Sequence, residues 1–184
     1  MNKNLRTDTA QEQARIVLIT GDGKGKTTSS LGMALRSVGH QMPVLMLQFV
    51  KDDDETGELA ASKMLDNFEI VQLGKGFIPR PESSLFEQHC KAAQEGLERA
   101  RQATHSGDYA VIILDEICVA VAQNLIAEAD VLALLDDLPP GLCLILTGRG
   151  APAALIDRAD TVSQVNCIKH AMEEGRPAQK GVEL

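Results

Sequence analysis

The sequence predicts a single α/β domain with a mainly parallel sheet of about five or six strands flanked by helices. Three observations predict it. The apolar run Ile16-Val17-Leu18-Ile19 leads straight into Thr20-Gly21-Asp22-Gly23-Lys24-Gly25-Lys26-Thr27-Thr28 and then into a helical pattern, Thr27 to Val38. A second apolar run, Tyr109 to Leu114, ends in the acidic pair Asp115-Glu116. Strand-like and helix-like segments alternate along the rest of the chain, the pattern that wraps helices around a parallel sheet. The order strand, glycine-rich loop, helix makes this a P-loop-containing domain: glycines let successive N–H groups face one concavity, and the helix N-terminus adds partial positive charge. Lys26 is then within reach of phosphate oxygens, and the Thr27 hydroxyl is placed to hold Mg²⁺.

The loop departs from the usual spacing. In G-x-x-x-x-G-K-[ST] the first glycine would stand at position 20, where the chain has Thr20, and glycine comes at Gly21. It is therefore one residue short, with an additional cation, Lys24, inside it.

At 184 residues the chain suits one domain, and a chain of this length buries roughly 70% of its unfolded surface. Residues 1–14 carry no steady apolar period and read as an N-terminal arm, leaving 15–184 as the nucleotide-binding domain. Lys and Arg number 18 against 26 Asp and Glu, a net charge of −8, so broad attraction to nucleic acid or to an anionic membrane is not expected. Any anion must be bound locally. With no long apolar run and no signal-peptide core, a cytoplasmic protein is expected. Cys90, Cys118, Cys143 and Cys167 are too scattered for a zinc or iron–sulfur site and are expected as reduced, mostly buried thiols.

In chain order, Leu31, Ala34, Leu35 and Val38 mark a core-facing stripe on the first helix, with Gly39 at its C-cap. Pro43 introduces a strand from Val44 to Val50, and Asp52-Asp53-Asp54-Glu55 reads as a solvated loop. A short helix is expected over Glu58 to Leu65 and a strand over Phe68 to Leu73, followed by a Gly- and Pro-rich loop, Gly74 to Pro81. Ser84 and Glu87 form a candidate capping box for a long helix with Phe86, Cys90, Ala93, Leu97, Ala100 and Thr104 on one face. The strand Tyr109 to Leu114 is apolar throughout, as a strand covered on both faces must be, and its acidic end is the Walker B arrangement. A helix over Ala127 to Leu135, a strand over Leu142 to Leu146 ending in Thr147-Gly148-Arg149-Gly150, a short helix, and a last strand near Thr161 to Val165 complete the domain. The tail, Lys169 to Leu184, reads as irregular.

These residues specify a Mg-nucleoside triphosphate site: Lys24 and Lys26 offset phosphate charge, and Thr27 with one of Asp115 or Glu116 holds the metal. They leave the reaction open. Glu116 as a base activating water would make an ATPase; Glu116 as a metal ligand alone would leave the attacking group to a second substrate.

The shortened loop at 20–28, Gln48-Phe49-Val50-Lys51, Gly76-Phe77, Leu114-Asp115-Glu116, Thr147-Gly148-Arg149-Gly150, Ala159-Asp160-Thr161-Val162-Ser163, Lys169-His170 and Lys180-Gly181-Val182-Glu183 together resemble the ATP:corrinoid adenosyltransferases of the CobA/BtuR (CobO) family. The resemblance implies transfer of the 5′-deoxyadenosyl group of ATP to the cobalt of cob(I)alamin or a related corrinoid, with triphosphate leaving. It implies a nucleotide held with its phosphates reversed relative to ordinary P-loop proteins. It carries ATP binding onto Gly21, Asp22, Gly23, Lys24, Gly25, Lys26, Thr27, Thr28, Arg36 and Arg149, and catalysis onto Lys26, Thr27 and Glu116. Mg²⁺ falls to Thr27 and Glu116, with Asp115 beside them. Corrinoid contact falls to Phe77 and Ile78, but Pro79 stands where a family Trp is common, Cys118 and Val119 where a Tyr is, and Met172 where a Phe is. A lone Phe77 packed in the core is the other reading. The resemblance further implies a homodimer, the N-terminal arm as a candidate cover for the site, and a reduced flavin or flavodoxin as electron donor. A non-catalytic ATP- or corrinoid-binding carrier or sensor is the alternative that the thinned aromatic set motivates.

Overall fold

The computed structural model of the protein describes residues 13–183. The expected arm thus lies almost wholly outside the described residues. The chain runs β1 (Arg15–Thr20), α1 (Lys26–Gly39), β2 (Val44–Gln48), α2 (Gly57–Ser62), β3 (Phe68–Gln72), α3 (Phe86–Ser106), β4 (Val111–Asp115), α4 (Ile117–Ala122), α5 (Glu128–Asp136), β5 (Cys143–Thr147), α6 (Ala153–Arg158) and β6 (Thr161–Gln164). The six strands form one parallel sheet in the order β3-β2-β4-β5-β1-β6.

Alternation along each strand divides the core between two faces. Ile16, Leu18, Leu45, Leu47, Ile112, Leu114, Leu144 and Leu146 point to the side covered by α3, α4, α5 and α6. Ile19, Met46, Ile113 and Ile145 point to the side covered by α1, with Leu59 of α2 joining them. Every residue of β2 and β4 is buried, as strands with helices on both faces require. Register then decides where the strands end: Gln48 stands opposite Asp115, and Ile19 opposite Thr147. The carboxyl ends of β1, β2, β4 and β5 therefore form one rim, where ligands of open α/β sheets bind.

Several expectations need correction. Leu35 is 63% exposed, and Leu31, Met33, Ala34 and Val38 supply the packed stripe of α1 instead. Gly39 is the last helical residue and His40 occupies the C-cap. Ser84 does not cap α3: Leu85 stands at the N-cap with helical backbone angles, and the Ser83 hydroxyl accepts from its N–H at 3.3 Å. Tyr109 precedes β4 rather than opening it; its hydroxyl donates to Glu69 at 2.7 Å, and that bond, with burial, pushes its pKa up to about 12. Of the thiols only Cys118 is buried, Cys90 and Cys143 are half-buried, and Cys167 is exposed. Asp52 to Glu55 are exposed, as a solvated loop would be. Helix α4 was not anticipated. Among the described residues no helix is long and apolar enough to cross a membrane.

The start of β1 is clamped from a distance. Asp160 accepts the Ile16 N–H on its carboxylate at 2.7 Å and returns its own N–H to the Ile16 carbonyl at 2.9 Å. Asp160→Ala leaves the Ile16 N–H without a partner and is expected to cost about 1–3 kcal/mol, while Asp160→Asn, which keeps an acceptor, costs less. Urea unfolding of the two variants checks the difference.

Candidate active site

The phosphate loop is shaped by its glycines and braced by the segment after β6. Gly21 and Gly25 adopt φ of +100° and +124°. A Cβ at Gly21 would lie 2.4 Å from the Val165 carbonyl oxygen, and one at Gly23 would lie 2.6 Å from that of Asn166. Gly23 N–H donates to the Val165 carbonyl at 2.8 Å. Glycine is thus demanded here by close backbone packing as well as by any ligand.

Lys26 opens α1 and is only 6% exposed, with its ammonium donating to the Gly23 carbonyl at 2.8 Å. Burial lowers its pKa, and Glu116, Asp22 and Asp115 oppose that effect while Arg149 adds to it. The Thr27 hydroxyl donates to Asp115 Oδ1 at 2.8 Å across 88 positions of sequence. Asp115 is fully buried; the same oxygen accepts from Thr147 Oγ1 at 2.7 Å, and Oδ2 takes a longer contact of 3.4 Å from Gln48. Its two hydroxyl donors hold it beneath the loop.

Glu116, the next residue, turns outward to the ligand side. Its φ of 62° and ψ of 20° are left-handed, sparsely populated by non-glycine residues, and its N–H donates to Thr147 Oγ1 at 2.9 Å. Burial, then the neighbouring Asp115, raises its pKa; Lys26, Arg149 and Lys51 oppose them. The left-handed residue also ends β4, since it departs from extended backbone, and α4 begins at the next residue.

Lys26, Thr27 and Glu116 face a cavity of about 880 Å³. The loop from Gly23 to Thr28 lines it with Leu31 and Leu35 of α1, and so do Gly57, Glu58 and Ala61 of α2, with Leu65 and Phe68. Glu116, Val119 and Arg149 line it as well, and the tail contributes His170, Gly181, Val182 and Glu183. Leu35 is exposed because it faces this space. Lys24, Lys26, Lys51 and Arg149 gather four cations on it, a local anion site within an acidic chain.

Of the residues expected here, Gly23 to Thr28, Glu116 and Arg149 share the cavity wall, whereas Asp115 lies behind Thr27. Gly21 and Asp22 lie outside the lining, and Arg36 is exposed on α1 away from it. Phe77 is 95% exposed on the loop between β3 and α3, so it does not pack in the core, and Ile78 packs on the edge of the core; neither lines the cavity. Cys118 is buried with its pKa pushed up to about 12 by burial and then by Glu116, so it offers no thiolate to a ligand.

Four further residues take part in the site: Gln48, Lys51, Glu58 and Thr147. Lys51 pairs with Glu58, and Glu58 also accepts from Gln48 at 3.4 Å. Burial tends to raise the Glu58 pKa, but the hydrogen bonds, led by that from Lys51, bring it below the ordinary value. Gln48 and Thr147 complete the seat of Asp115. Gln48 and Thr147 are the last residues of their strands and Lys51 follows the first of these closely, which is the signal that singles them out; Glu58, in α2, carries no such signal. The tail, read as irregular, forms a 3₁₀ turn at Ala171–Glu174 and brings the Val182 carbonyl to 2.6 Å from the Lys24 ammonium.

The donor set suits a hard divalent cation that arrives with a nucleotide. Thr27 and Glu116 offer oxygen, and among the described residues no cluster of three or more His, Cys, Asp or Glu makes a closed metal cage. Mg²⁺ characteristically takes one or two protein ligands and fills its octahedron with phosphates and water.

The family model described as ATP:corrinoid adenosyltransferase BtuR/CobO/CobP matches residues 12–184. The chain is 32% identical over 177 residues to a corrinoid adenosyltransferase of Pseudomonas aeruginosa, covering 95% of this chain and 86% of that one. It is 32% identical over 181 residues to the corrinoid adenosyltransferase of Escherichia coli K12, covering 97% and 90%. The same identity and coverage hold for the corrinoid adenosyltransferase CobA of Salmonella typhimurium. A match running from before β1 to the last residue, through loop, acidic pair and tail alike, means that this chain belongs to the ATP:corrinoid adenosyltransferase BtuR/CobO/CobP family.

Proposed function

We infer that the protein transfers the 5′-deoxyadenosyl group of ATP to the cobalt of a reduced corrinoid and releases triphosphate. The observation that carries this reading is the convergence of Lys24, Lys26, Lys51 and Arg149 with Thr27 and Glu116 on one cavity, in a chain of this family.

The Co(I) centre supplies the electron pair that forms the Co–C5′ bond, the C5′–O bond breaks, and its pair leaves on the triphosphate as cobalt becomes formally Co(III). The substrate is the nucleophile, so no protein base is required. What the chain supplies is orientation and charge stabilisation. The amides and glycines of 21–25, with Lys24, Lys26 and Thr28, hold the phosphates; Lys26 and Arg149 take up charge as triphosphate departs. Thr27 and Glu116 would hold Mg²⁺, which would supply further neutralisation of the leaving group, and Asp115 keeps Thr27 aimed. The Asp22 carboxylate stands outside the lining and acts on the site through the charge of Lys26, and Arg36 also stands outside it.

Phe77 and Ile78 meet the corrinoid. The exposure of Phe77 on the loop after β3 supports this role, since its ring is accessible for an apolar contact. We further propose a homodimer, a cytoplasmic setting and a reduced flavin or flavodoxin as electron donor.

The test is anaerobic incubation with ATP, Mg²⁺ and chemically pre-reduced cob(I)alamin. Adenosylcobalamin with stoichiometric triphosphate is expected. Orthophosphate without a cobalt–carbon bond would establish an ATPase instead, and binding of both ligands with neither product a carrier or sensor.

A further inference from the structure

The ends of β4 and β5 are joined by one hydroxyl that contacts no ligand-facing space. Thr147 is fully buried at the last position of β5 and is absent from the cavity wall. Its Oγ1 accepts the Glu116 N–H at 2.9 Å and donates to Asp115 Oδ1 at 2.7 Å. That same carboxylate oxygen receives the Thr27 hydroxyl at 2.8 Å. One atom therefore lies a single hydrogen bond from the backbone of Glu116 and two from the hydroxyl of Thr27.

The surrounding backbone is built to keep this contact. Sheet register sets Ile19 of the phosphate-loop strand against Thr147, and Leu114 against Leu146, so Thr147 lies between the two strands whose loops carry the site. Gly148 follows with φ of +135°, and a Cβ there would lie 2.9 Å from the Val119 amide nitrogen. The chain after Thr147 thus passes directly under α4. Glu116 is held left-handed (φ 62°) in this arrangement, a conformation that persists only where neighbouring contacts impose it.

We propose that Thr147 is a positioning residue for the divalent cation of the nucleotide complex: through Asp115 it aims the Thr27 hydroxyl, and through the Glu116 N–H it sets the kink that turns the Glu116 carboxylate toward the same point. The inference rests on the proposed function only in taking Mg-ATP as the ligand. Groups behind metal ligands commonly set affinity in this way, and losing one costs about 10- to 100-fold in metal affinity.

The full-length protein, Thr147→Val and Thr147→Ser are compared by calorimetric titration with ATP, once in excess Mg²⁺ and once in chelator. Thr147→Val keeps the shape and removes the hydroxyl; Thr147→Ser keeps the hydroxyl. For Thr147→Val we expect ATP affinity about 10-fold weaker in Mg²⁺ and unchanged in chelator, with Thr147→Ser near the wild type in both. If Thr147→Val does not fold, Thr147→Ala replaces it and must show the same pattern. Equal weakening with and without Mg²⁺, wild-type behaviour of the folded hydroxyl-free variant, or a serine variant as weak as the valine one each overturns the proposal. A wild type whose ATP affinity ignores Mg²⁺ overturns it too, whatever the corrinoid assay gives. A wild type that binds Mg-ATP with this pattern yet forms no adenosylcorrinoid removes the adenosyltransferase reading and leaves the role of Thr147 standing.

Discussion

Lys26→Ala is expected to lower adenosylation from pre-reduced cob(I)alamin by on the order of 100- to 1,000-fold, the scale seen when a preorganised charge-stabilising donor is removed. The reasons are geometric and electrostatic. Lys26 stands at the first position of α1, inside the loop and almost without solvent, where its charge acts through a low dielectric. Its ammonium donates to the Gly23 carbonyl at 2.8 Å, which holds it along the loop. Lys24 does not replace it, being exposed and turned to the tail at Val182 and Glu183. Arginine is no substitute either, because a planar guanidinium does not fit where a point charge sits under a tight loop. Burial disfavours the charged lysine in the folded state, so the thermal midpoint of Lys26→Ala is expected to be unchanged or raised. Steady-state transfer rates and a melting curve together separate lost chemistry from lost folding.

Gly21→Ala is expected to have the opposite profile, failing in stability first. Its φ of +100° is strained for any residue with a Cβ, and the new atom would lie 2.4 Å from the Val165 carbonyl oxygen and 3.0 Å from the Val165 nitrogen. Both obstacles are backbone, so neither yields by a rotamer change. Strain of this kind and overpacking each cost about 1–3 kcal/mol, for a combined loss of about 2–6 kcal/mol, a large part of the 5–15 kcal/mol that holds a typical domain. Gly32→Ala in α1 is the control, since a Cβ there meets nothing within 4 Å; replacing a mid-helix glycine adds roughly 0.5–1 kcal/mol. Denaturant unfolding of the pair should move the two midpoints in opposite directions. ATP binding should weaken in Gly21→Ala alone, because the segment displaced by the new Cβ also accepts the Gly23 N–H.

By itself the sequence determined the parts that local chemistry decides. An apolar run, a glycine-rich turn and Lys-Thr at a helix start specify strand, phosphate loop and helix within a few neighbouring residues, and the β4 run with Asp115-Glu116 specifies a buried strand with acids at its end. Element bounds read this way came within a few residues of those observed for β2, β3 and β6. Periodicity says that a strand is covered on both faces, but not which strand lies beside it. Only the tertiary structure decided that Asp115 turns down to Thr27 and Thr147 while Glu116 turns up to the cavity, because that depends on sheet order, on register and on a left-handed residue. It likewise decided that Ile117 to Val121, apolar enough for either element, is helix, that Leu35 faces a cavity, and that the tail returns across 158 positions to Lys24. Hydrogen bonds between residues so far apart leave no local pattern in the chain, since each partner is an ordinary polar residue until folding brings the other within 3 Å.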